Sequence, residues 1–330
     1  MQGTTQNNQS VVKTPLDSPA SPQAHTPPRH DLTLSLPDGR TLAYVTCGDP
    51  NGYPLLFGHG MPGSRLEALF FHEQAQAAGF QVFALDRPGI GQSTYQPNRT
   101  LLDYADDVRA FTDRLGIQRF AHLGWSSGGS RTLACAYAMP RQVSCAVLLS
   151  SYTHFEEYTA AEYPAIKRWF LSTGLPGPAM LKGSLWLFRL VVMLMAGCAR
   201  IRPNAYMNKV WRLASEDDRA ILAQPRLWAL FRQDQRECFT SSGWAIARDL
   251  ETELAHWGFQ LAEVGLPIDL FQGSDDPFTP QSFCDHLARR LPRATVHPLS
   301  GRGHLYPLDA QFQQTLFAHI RRRLAADASA

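Results

Sequence analysis

Three residue types that together can perform covalent catalysis occur in this sequence in settings that suit the task. Ser126 stands at the centre of a G-x-S-x-G pattern, and Asp276 and His304 each follow a glycine-containing turn. A serine hydroxyl becomes a strong nucleophile when a histidine takes its proton, and a carboxylate fixes the tautomer of that histidine. We therefore expect Ser126 to attack a carbonyl carbon, His304 to move the protons and Asp276 to orient His304.

The glycines around Ser126 indicate a very tight turn between a strand and a helix. An apolar segment, 119–123, precedes the turn, and a run of small residues follows it through Ala138. Gly124 and Gly128 leave room where side chains would collide with neighbouring elements. The N-terminus of the following helix would stabilise negative charge beside Ser126. The alternative is an ordinary glycine-rich turn without a catalytic role.

A second glycine-rich loop, 57–65, follows another apolar segment and has the sequence FGHGMPGSR. Acyl transfer requires two backbone N–H groups that point at the oxyanion of the tetrahedral intermediate. We predict that the backbone of Ser127 supplies one donor and that of Met61 the other. His59 is expected to brace this loop rather than to act as a base.

Aromatic residues indicate an apolar acyl or aromatic substrate. Five of them lie in the segment 152–266, although packing within that segment is the alternative for each one; they are Trp211, Trp228, Phe231, Trp244 and Trp257. The predicted substrate contacts are His59, Trp125 and Trp257.

The elements that must position these residues alternate between strand and helix patterns, which predicts an α/β fold with a mostly parallel sheet. A helix is predicted from Thr100, with Asp103 in a capping box and Gly116 at its end, and another over 312–324. The predicted strands are 31–35, 41–46, 54–58, 81–85, 119–123, 143–150, 267–271 and 294–299.

Ser126, Asp276 and His304 each follow a predicted strand, so the carboxyl ends of those strands would bring them to one edge of the sheet. Taken singly, Asp276 could cap the helix that follows it and His304 could be a structural loop histidine. The joint occurrence of all these features in order favours the catalytic interpretation.

The strand rhythm breaks between residues 152 and 266, which we interpret as a helical cap. The core domain then comprises 31–151 and 267–330, and the polar segment 1–30 is predicted to be a disordered tail. This tail lacks the features of a secretory signal, so a cytoplasmic location is expected. The apolar run 184–198 is too short to span a bilayer.

The bulk composition gives no reason to expect a nucleic acid or an anionic membrane as partner. The chain has 330 residues with 31 basic and 29 acidic side chains, a formal net charge of +2. Its 6 cysteines include no C-x-x-C pair, and no cysteine and histidine cluster has metal-ligand spacing. We predict no cofactor and no metal, and the oligomeric state stays open.

The motifs of residues 31–324 resemble those of the α/β-hydrolase superfamily. Residues 59–65 are similar to its oxyanion loop, 86–93 to a turn after a strand, and 124–129 to its nucleophile turn. The pattern Gly273-x-x-Asp276-x-x-x-Pro280 resembles the acid loop and favours Asp276 over Asp275, and Gly301-x-Gly303-His304 resembles the histidine loop. The Trp257-Gly258-Phe259 segment is similar to that of members with an H-G-x-P-G-S-R loop.

This resemblance implies an α/β-hydrolase fold with about eight strands, a helical cap inserted after the sixth strand, and a substrate bound between the cap and Ser126. The serine at position 126 argues against relatives that use aspartate there, the haloalkane dehalogenases and epoxide hydrolases. The His-Gly-Met-Pro sequence argues against a proline iminopeptidase, and the lack of a His-Gly-Gly-Gly run against the hormone-sensitive-lipase-like group.

The function predicted from these features is a serine hydrolase acting on a small apolar carboxylic ester, or on a lactone, thioester or carbon–carbon bond. Two alternatives remain. One is a cofactor-free lyase or perhydrolase that uses the same three residues. The other is a ligand-sensing or partner-regulating protein with slow turnover.

Overall fold

A computed structural model of the protein describes residues 27–159, 161–240 and 242–328. Eight strands form one sheet in the order β1-β2-β4-β3-β5-β6-β7-β8. The predicted disordered tail, 1–30, lies outside the described residues except for 27–30, and the first strand begins at Arg29. The strands are β1 Arg29–Ser35, β2 Thr41–Gly48, β3 Tyr53–Gly58, β4 Phe80–Leu85, β5 Phe120–Trp125, β6 Val143–Leu149, β7 Ile268–Gly273 and β8 Ala294–Leu299.

The sheet is parallel from β4 through β8, and β1 and β2 join it in antiparallel pairs. Apolar clusters cover both of its faces. This confirms the predicted α/β class with a mostly parallel sheet. The helices are α1 His72–Ala77, α2 Leu102–Leu115, α3 Gly128–Ala138, α4 Tyr163–Thr173, α5 Pro178–Gly183, α6 Leu185–Ile201, α7 Pro203–Leu213, α8 Glu216–Leu222, α9 Pro225–Thr240, α10 Gly243–Leu254, α11 Gln281–Arg290 and α12 Ala310–Ala328.

Local sequence explains where α2 starts and stops. Asp103 accepts hydrogen bonds from the backbone N–H and the hydroxyl of Thr100, each at 2.6 Å. Gly116 ends the helix with a φ of 69°, a left-handed conformation that glycine adopts without steric cost. The buried side chains Tyr104, Val108 and Phe111 lie on one face and pack on the sheet.

Helices α4 to α10 lie between β6 and β7, in the segment that we predict to be a cap, and the described part of that segment contains no strand. The apolar run 184–198 becomes α6, which buries Phe188, Val192, Ala196 and Ala199 against neighbouring helices. Among the described residues, no helix combines the length and the apolar character needed to cross a bilayer.

Candidate active site

Ser126 sits on a strained turn at the carboxyl end of β5. Its φ is 56°, in the left-handed region, which costs a non-glycine residue about 1–3 kcal/mol. A Cβ atom at Gly124 would overlap the carbonyl oxygen of Gly128, and one at Gly128 would overlap that of Gly58. The glycines of the G-x-S-x-G pattern are therefore required by the close approach of α3 to β3 and β5.

The carboxylate of Asp276 is joined to the imidazole of His304. Its Oδ2 atom accepts a hydrogen bond from His304 Nδ1 at 2.7 Å. The hydroxyl of Thr279 also donates to Oδ2, at 2.6 Å. Oδ1 accepts from the backbone N–H groups of Phe278 and Thr279, both at 2.8 Å. The adjacent Asp275 is exposed and instead accepts from Ser274.

The pKa values of the two partners shift in opposite directions. Burial disfavours the charged form of both groups, but their mutual attraction outweighs it. The pKa of Asp276 is therefore lowered and the pKa of His304 raised from their ordinary values. The negative charge of Asp218 also contributes to the raised pKa of His304.

Ser126 and His304 line the same cavity. The indole of Trp125, the residue before Ser126, donates to the carbonyl oxygen of His304 at 3.2 Å, and the two rings lie 5.7 Å apart. In the described chain no hydrogen bond joins the Ser126 hydroxyl to His304. The fold thus brings the predicted serine and histidine to one cavity wall with Trp125 between their loops.

The predicted oxyanion donors belong to two loops near Ser126. Met61 lines the cavity, and Ser127 begins the turn into α3. Neither backbone N–H donates to a protein acceptor among the residues that the structure describes. The oxyanion role of Met61 and Ser127 stays a prediction.

A buried carboxyl group that the sequence analysis missed supports the loop 57–65. Glu67 lines the cavity, and its Oε2 atom accepts a hydrogen bond from the N–H of Gly60 at 2.7 Å. A Cβ atom at Gly63 would overlap its Oε1 atom. Burial, reinforced by the charge of Asp234, raises the pKa of Glu67 well above its ordinary value. The only sequence signal was a lone acidic residue in the otherwise apolar run Leu66–Phe71.

The three predicted substrate contacts have different positions. Trp125 lines the cavity. His59 is buried beneath the loop, with Nδ1 2.9 Å from the Gly60 carbonyl oxygen and Nε2 accepting from Arg87 N–H, so it braces the loop. Trp257 is fully buried in the core and donates to the carbonyl oxygen of Glu253. These placements remove the geometric basis for substrate contacts by His59 and Trp257.

The cavity has a volume of about 720 Å³ and a mostly apolar lining. Of the cap aromatic residues that suggested an apolar substrate, Phe231 lines it. Trp211 and Trp228 pack on each other with ring centroids 5.9 Å apart, and Trp244 is exposed. Other aromatic residues line the cavity instead; they are Tyr152, Trp169, Tyr206, Phe239 and Phe278. The sequence did not indicate them, because helical segments without a clear apolar period do not reveal which face turns inward.

Helix α9, in the segment 152–266, holds the loop 57–65 in place. Asp234 accepts from the backbone N–H of Ser64 at 2.9 Å and from its hydroxyl at 2.6 Å. Gln235 donates to the carbonyl oxygen of Pro62 at 2.8 Å.

Helix α8 holds the histidine loop in the same way. Asp218 accepts from the N–H of Leu305 at 2.6 Å, and Asp217 accepts from the N–H of Gly303 at 2.9 Å. The cap segment thus contacts both loops that flank Ser126.

A buried ionic network joins α10 to the core beside these loops. Asp249 lies within ion-pair distance of Arg87 (2.6 Å), Arg99 (2.9 Å) and Arg131 (3.2 Å). Burial opposes its charge, but the three guanidinium groups outweigh that effect and lower the pKa of Asp249 well below its ordinary range. Arg131 also pairs with Glu253.

One group of potential metal ligands lies away from this site. The Nε2 atoms of His297 and His319 lie 2.8 Å and 3.2 Å from Asp269 Oδ1. The guanidinium of Arg323 lies 3.1 Å from the other carboxylate oxygen of Asp269 and supplies a positive charge there. The trio joins β7, β8 and α12, so sequence spacing could not reveal it. The absence of a metal stays a prediction.

Comparison with known proteins gives a family and a range of activities. A non-heme chloroperoxidase of Streptomyces lividans is 35% identical over 125 residues, 36% of this chain and 44% of that protein. A proline iminopeptidase of Xylella fastidiosa is 28% identical over 227 residues, 62% of this chain and 61% of that protein. The chain thus spans less than two thirds of these two relatives.

A longer match joins the chain to a 2-hydroxy-6-oxononadienedioate/2-hydroxy-6-oxononatrienedioate hydrolase of Cupriavidus pinatubonensis. It is 26% identical over 297 residues, 86% of this chain and 92% of the relative.

Solved structures share the fold. An esterase from Thermogutta terrifontis superposes with a TM-score of 0.64 at 17% identity, covering 89% of this chain and 99% of its own. The enol-lactonase from Burkholderia xenovorans LB400 also gives 0.64, at 15% identity, covering 89% of this chain and 100% of its own. The family model for the alpha/beta hydrolase fold matches residues 53–311, and the chain therefore belongs to the α/β-hydrolase family.

Proposed function

We propose that this protein is a serine hydrolase that cleaves an apolar carboxylic ester, or a related acyl compound, through an acyl-enzyme. The observation that carries the proposal is the buried Asp276–His304 pair, whose histidine lines the same cavity as the strained Ser126. The similarity to proteins named as hydrolases supports the same class of reaction.

In the proposed reaction, His304 accepts the proton of the Ser126 hydroxyl as the serine oxygen attacks the substrate carbonyl. Asp276 holds the imidazole in the required tautomer and stabilises the imidazolium. The N–H groups of Met61 and Ser127 bind the oxyanion, each contributing about 3 kcal/mol to barrier lowering. His304 then protonates the leaving group and activates the water that releases the acid.

The cavity supports a preference for apolar acyl chains. A volume of about 720 Å³ with a mostly apolar wall accommodates more than an acetyl group. Carboxylic esters are our first choice, followed by lactones, thioesters and hydrolytically cleaved carbon–carbon bonds. A chain-length series of p-nitrophenyl esters tests this, and we expect kcat/KM to rise from acetate to medium-length chains.

The test of the nucleophile uses a fluorophosphonate probe together with the same esters. Ser126→Ala should abolish labelling and lower kcat by about 10⁴–10⁶-fold, because it removes the attacking hydroxyl. Ser172→Ala serves as the matched control, since this hydroxyl only bonds to the carbonyl oxygen of Trp169 in α4. Labelling and turnover that survive Ser126→Ala would rule out the mechanism.

Perhydrolysis is a second candidate, favoured by the similarity to a bifunctional esterase/perhydrolase of Acinetobacter calcoaceticus, which is 36% identical over 120 residues, 34% of this chain and 42% of that protein. In this reaction hydrogen peroxide replaces water as the acceptor of the acyl group, so a peracid leaves the enzyme. Supplying hydrogen peroxide with the best ester and assaying peracid distinguishes the two reactions. If the carboxylic acid is the sole product, perhydrolysis is ruled out and hydrolysis remains the proposed reaction.

A further inference from the structure

The surface of helices α4 to α7 has a charge distribution unlike that of the whole chain. Every charged residue between positions 163 and 213 is basic, whereas the complete sequence is nearly balanced. Six of these side chains are exposed, and within the described chain none of them forms an ion pair with a carboxylate; they are Lys167, Arg168, Arg200, Arg202, Lys209 and Arg212.

Large apolar side chains are exposed on the same helices. Leu171, Trp186, Leu194 and Ile201 expose 73%, 68%, 61% and 79% of their surface, and no other large hydrophobic side chain of the described chain exceeds 47%. We call these four residues, with the six basic ones, the basic-apolar surface. Single exposed leucines are common, but a group of them beside unpaired basic charge indicates a binding site.

Helix α6 arranges part of this surface as a stripe. Leu187, Leu194 and Ile201 are seven residues apart and share one face of the helix, while Phe188 and Val192 are buried on the other. A helix with an apolar stripe and basic flanks is typical of segments that lie in a membrane interface.

Part of the basic-apolar surface also lines the cavity that contains Ser126. Leu194 is exposed and also lines the cavity, as do Arg202 and Lys209. Apolar compounds could therefore pass from a bilayer into the cavity without crossing water.

We propose that the basic-apolar surface docks on bilayers that contain anionic lipids. Trp186, Leu194 and Ile201 would enter the boundary between headgroups and acyl chains, and the basic side chains would contact lipid phosphates. Apolar insertion and electrostatic attraction are the two signals that stable peripheral binding requires. This docking does not depend on the proposed hydrolysis, although it would deliver apolar esters to the cavity.

The test is flotation of the full-length protein with vesicles of phosphatidylcholine alone or mixed with phosphatidylglycerol. We expect flotation with the mixed vesicles only, and a smaller bound fraction at high salt because the charges are screened. Ser126→Ala should bind as the unmodified protein does, which separates docking from catalysis.

Variants locate the contact. Trp186→Ser/Ile201→Ser and Arg200→Glu/Arg212→Glu should each weaken binding to mixed vesicles by at least about tenfold. Neither pair lines the cavity, so turnover of a water-soluble short ester should be unchanged, which also shows that the variants fold. The matched control is Arg114→Glu/Leu115→Ser, an exposed basic and apolar pair at the end of α2 in the core, which should bind normally.

Four results would overturn the proposal. One is the absence of binding to mixed vesicles, and another is unchanged binding by both variants. The third is binding of monomeric short-chain phosphatidylglycerol with the affinity seen for vesicles, which would assign the basic residues to a dissolved anionic substrate. A dimer that dissociates in Trp186→Ser/Ile201→Ser, without any vesicle binding, would assign the surface to a second copy of the chain.

Discussion

The carboxylate of Asp276 receives four hydrogen bonds, from His304, Phe278 and both the N–H and the hydroxyl of Thr279. So many donors keep it ionised although it is buried. Its fixed charge is the main reason why the pKa of His304 is raised against the effect of burial. The protonation state of the imidazole therefore depends mainly on Asp276, with a smaller contribution from Asp218.

This dependence predicts a shift in the pH profile. Only neutral His304 can accept the serine proton, so kcat/KM should fall as the pH drops through its raised pKa, above the ordinary value of about 6.5. Asp276→Asn removes the attraction, so the acidic limb should move to lower pH while the maximal rate falls by about 10⁴-fold. Asp275→Asn, the exposed neighbour, should change neither. An acidic limb that stays in place in Asp276→Asn would contradict this account.

The sequence alone indicated those candidate residues that lie at tight turns, because such turns require glycines at fixed positions. Ser126, Asp276 and His304 follow strands and lie near glycines that tight turns require, so spacing identified them. Glu67 could not be found in this way, because its role depends on which loop packs against it. For the same reason the sequence misplaced Trp257: a tryptophan suits a substrate contact, but its surroundings in the folded chain are the core.

At the scale of elements, α10 is attached to the core by charge rather than by apolar packing alone. Asp249 faces guanidinium groups from the loop after β4, from the loop before α2 and from α3. Loss of one partner from a buried ion cluster leaves the others uncompensated.

Asp249→Asn should therefore lower the free energy of unfolding by about 3–5 kcal/mol at neutral pH. Because the folded pKa of Asp249 is lowered, its contribution is present above the unfolded value of about 3.9 and is lost as the pH falls below it. Denaturant titrations at pH 7 and pH 3 measure this difference, which should shrink at the lower pH. Asp106→Asn, at an exposed pair with Arg109, should cost less than about 1 kcal/mol.

The strands were predicted within one or two residues at most ends, whereas the helices of the segment 152–266 were not resolved individually. Strands of a parallel sheet are buried on both faces and read as short apolar runs. Cap helices such as α6 place apolar residues toward the core, the cavity and the surface at once, so no single period stands out.

At the scale of the whole molecule, the average charge of the sequence concealed a local one. The net charge of +2 gave no reason to expect an anionic partner, yet residues 163–213 carry basic charge only. Acidic residues elsewhere, including those of α8, balance the sum. A count by segment would have revealed this difference; a count over the chain could not.

Cap segment and core should unfold together, because α8, α9 and α10 each bond to core loops. Five of the seven tryptophans lie between residues 169 and 244, so their fluorescence reports mainly on the cap segment. We expect fluorescence and far-ultraviolet circular dichroism to give coincident denaturant midpoints. In Asp249→Asn the fluorescence midpoint should lie at a lower denaturant concentration than the circular dichroism midpoint. An early fluorescence transition in the unmodified protein would show that the two parts unfold separately.

The loops beside Ser126 donate hydrogen bonds to Asp218 and Asp234 and accept one from Gln235, and these bonds limit how the sequence of the enzyme can change. The helices that line the pocket also hold the loops beside Ser126, so a change in these helices alters substrate preference and reaction rate together. A cap grafted from a relative would bring a new pocket but would release both loops unless these acceptors and donors were grafted too. Broadening of the substrate range should therefore begin at positions on the pocket wall that touch neither loop.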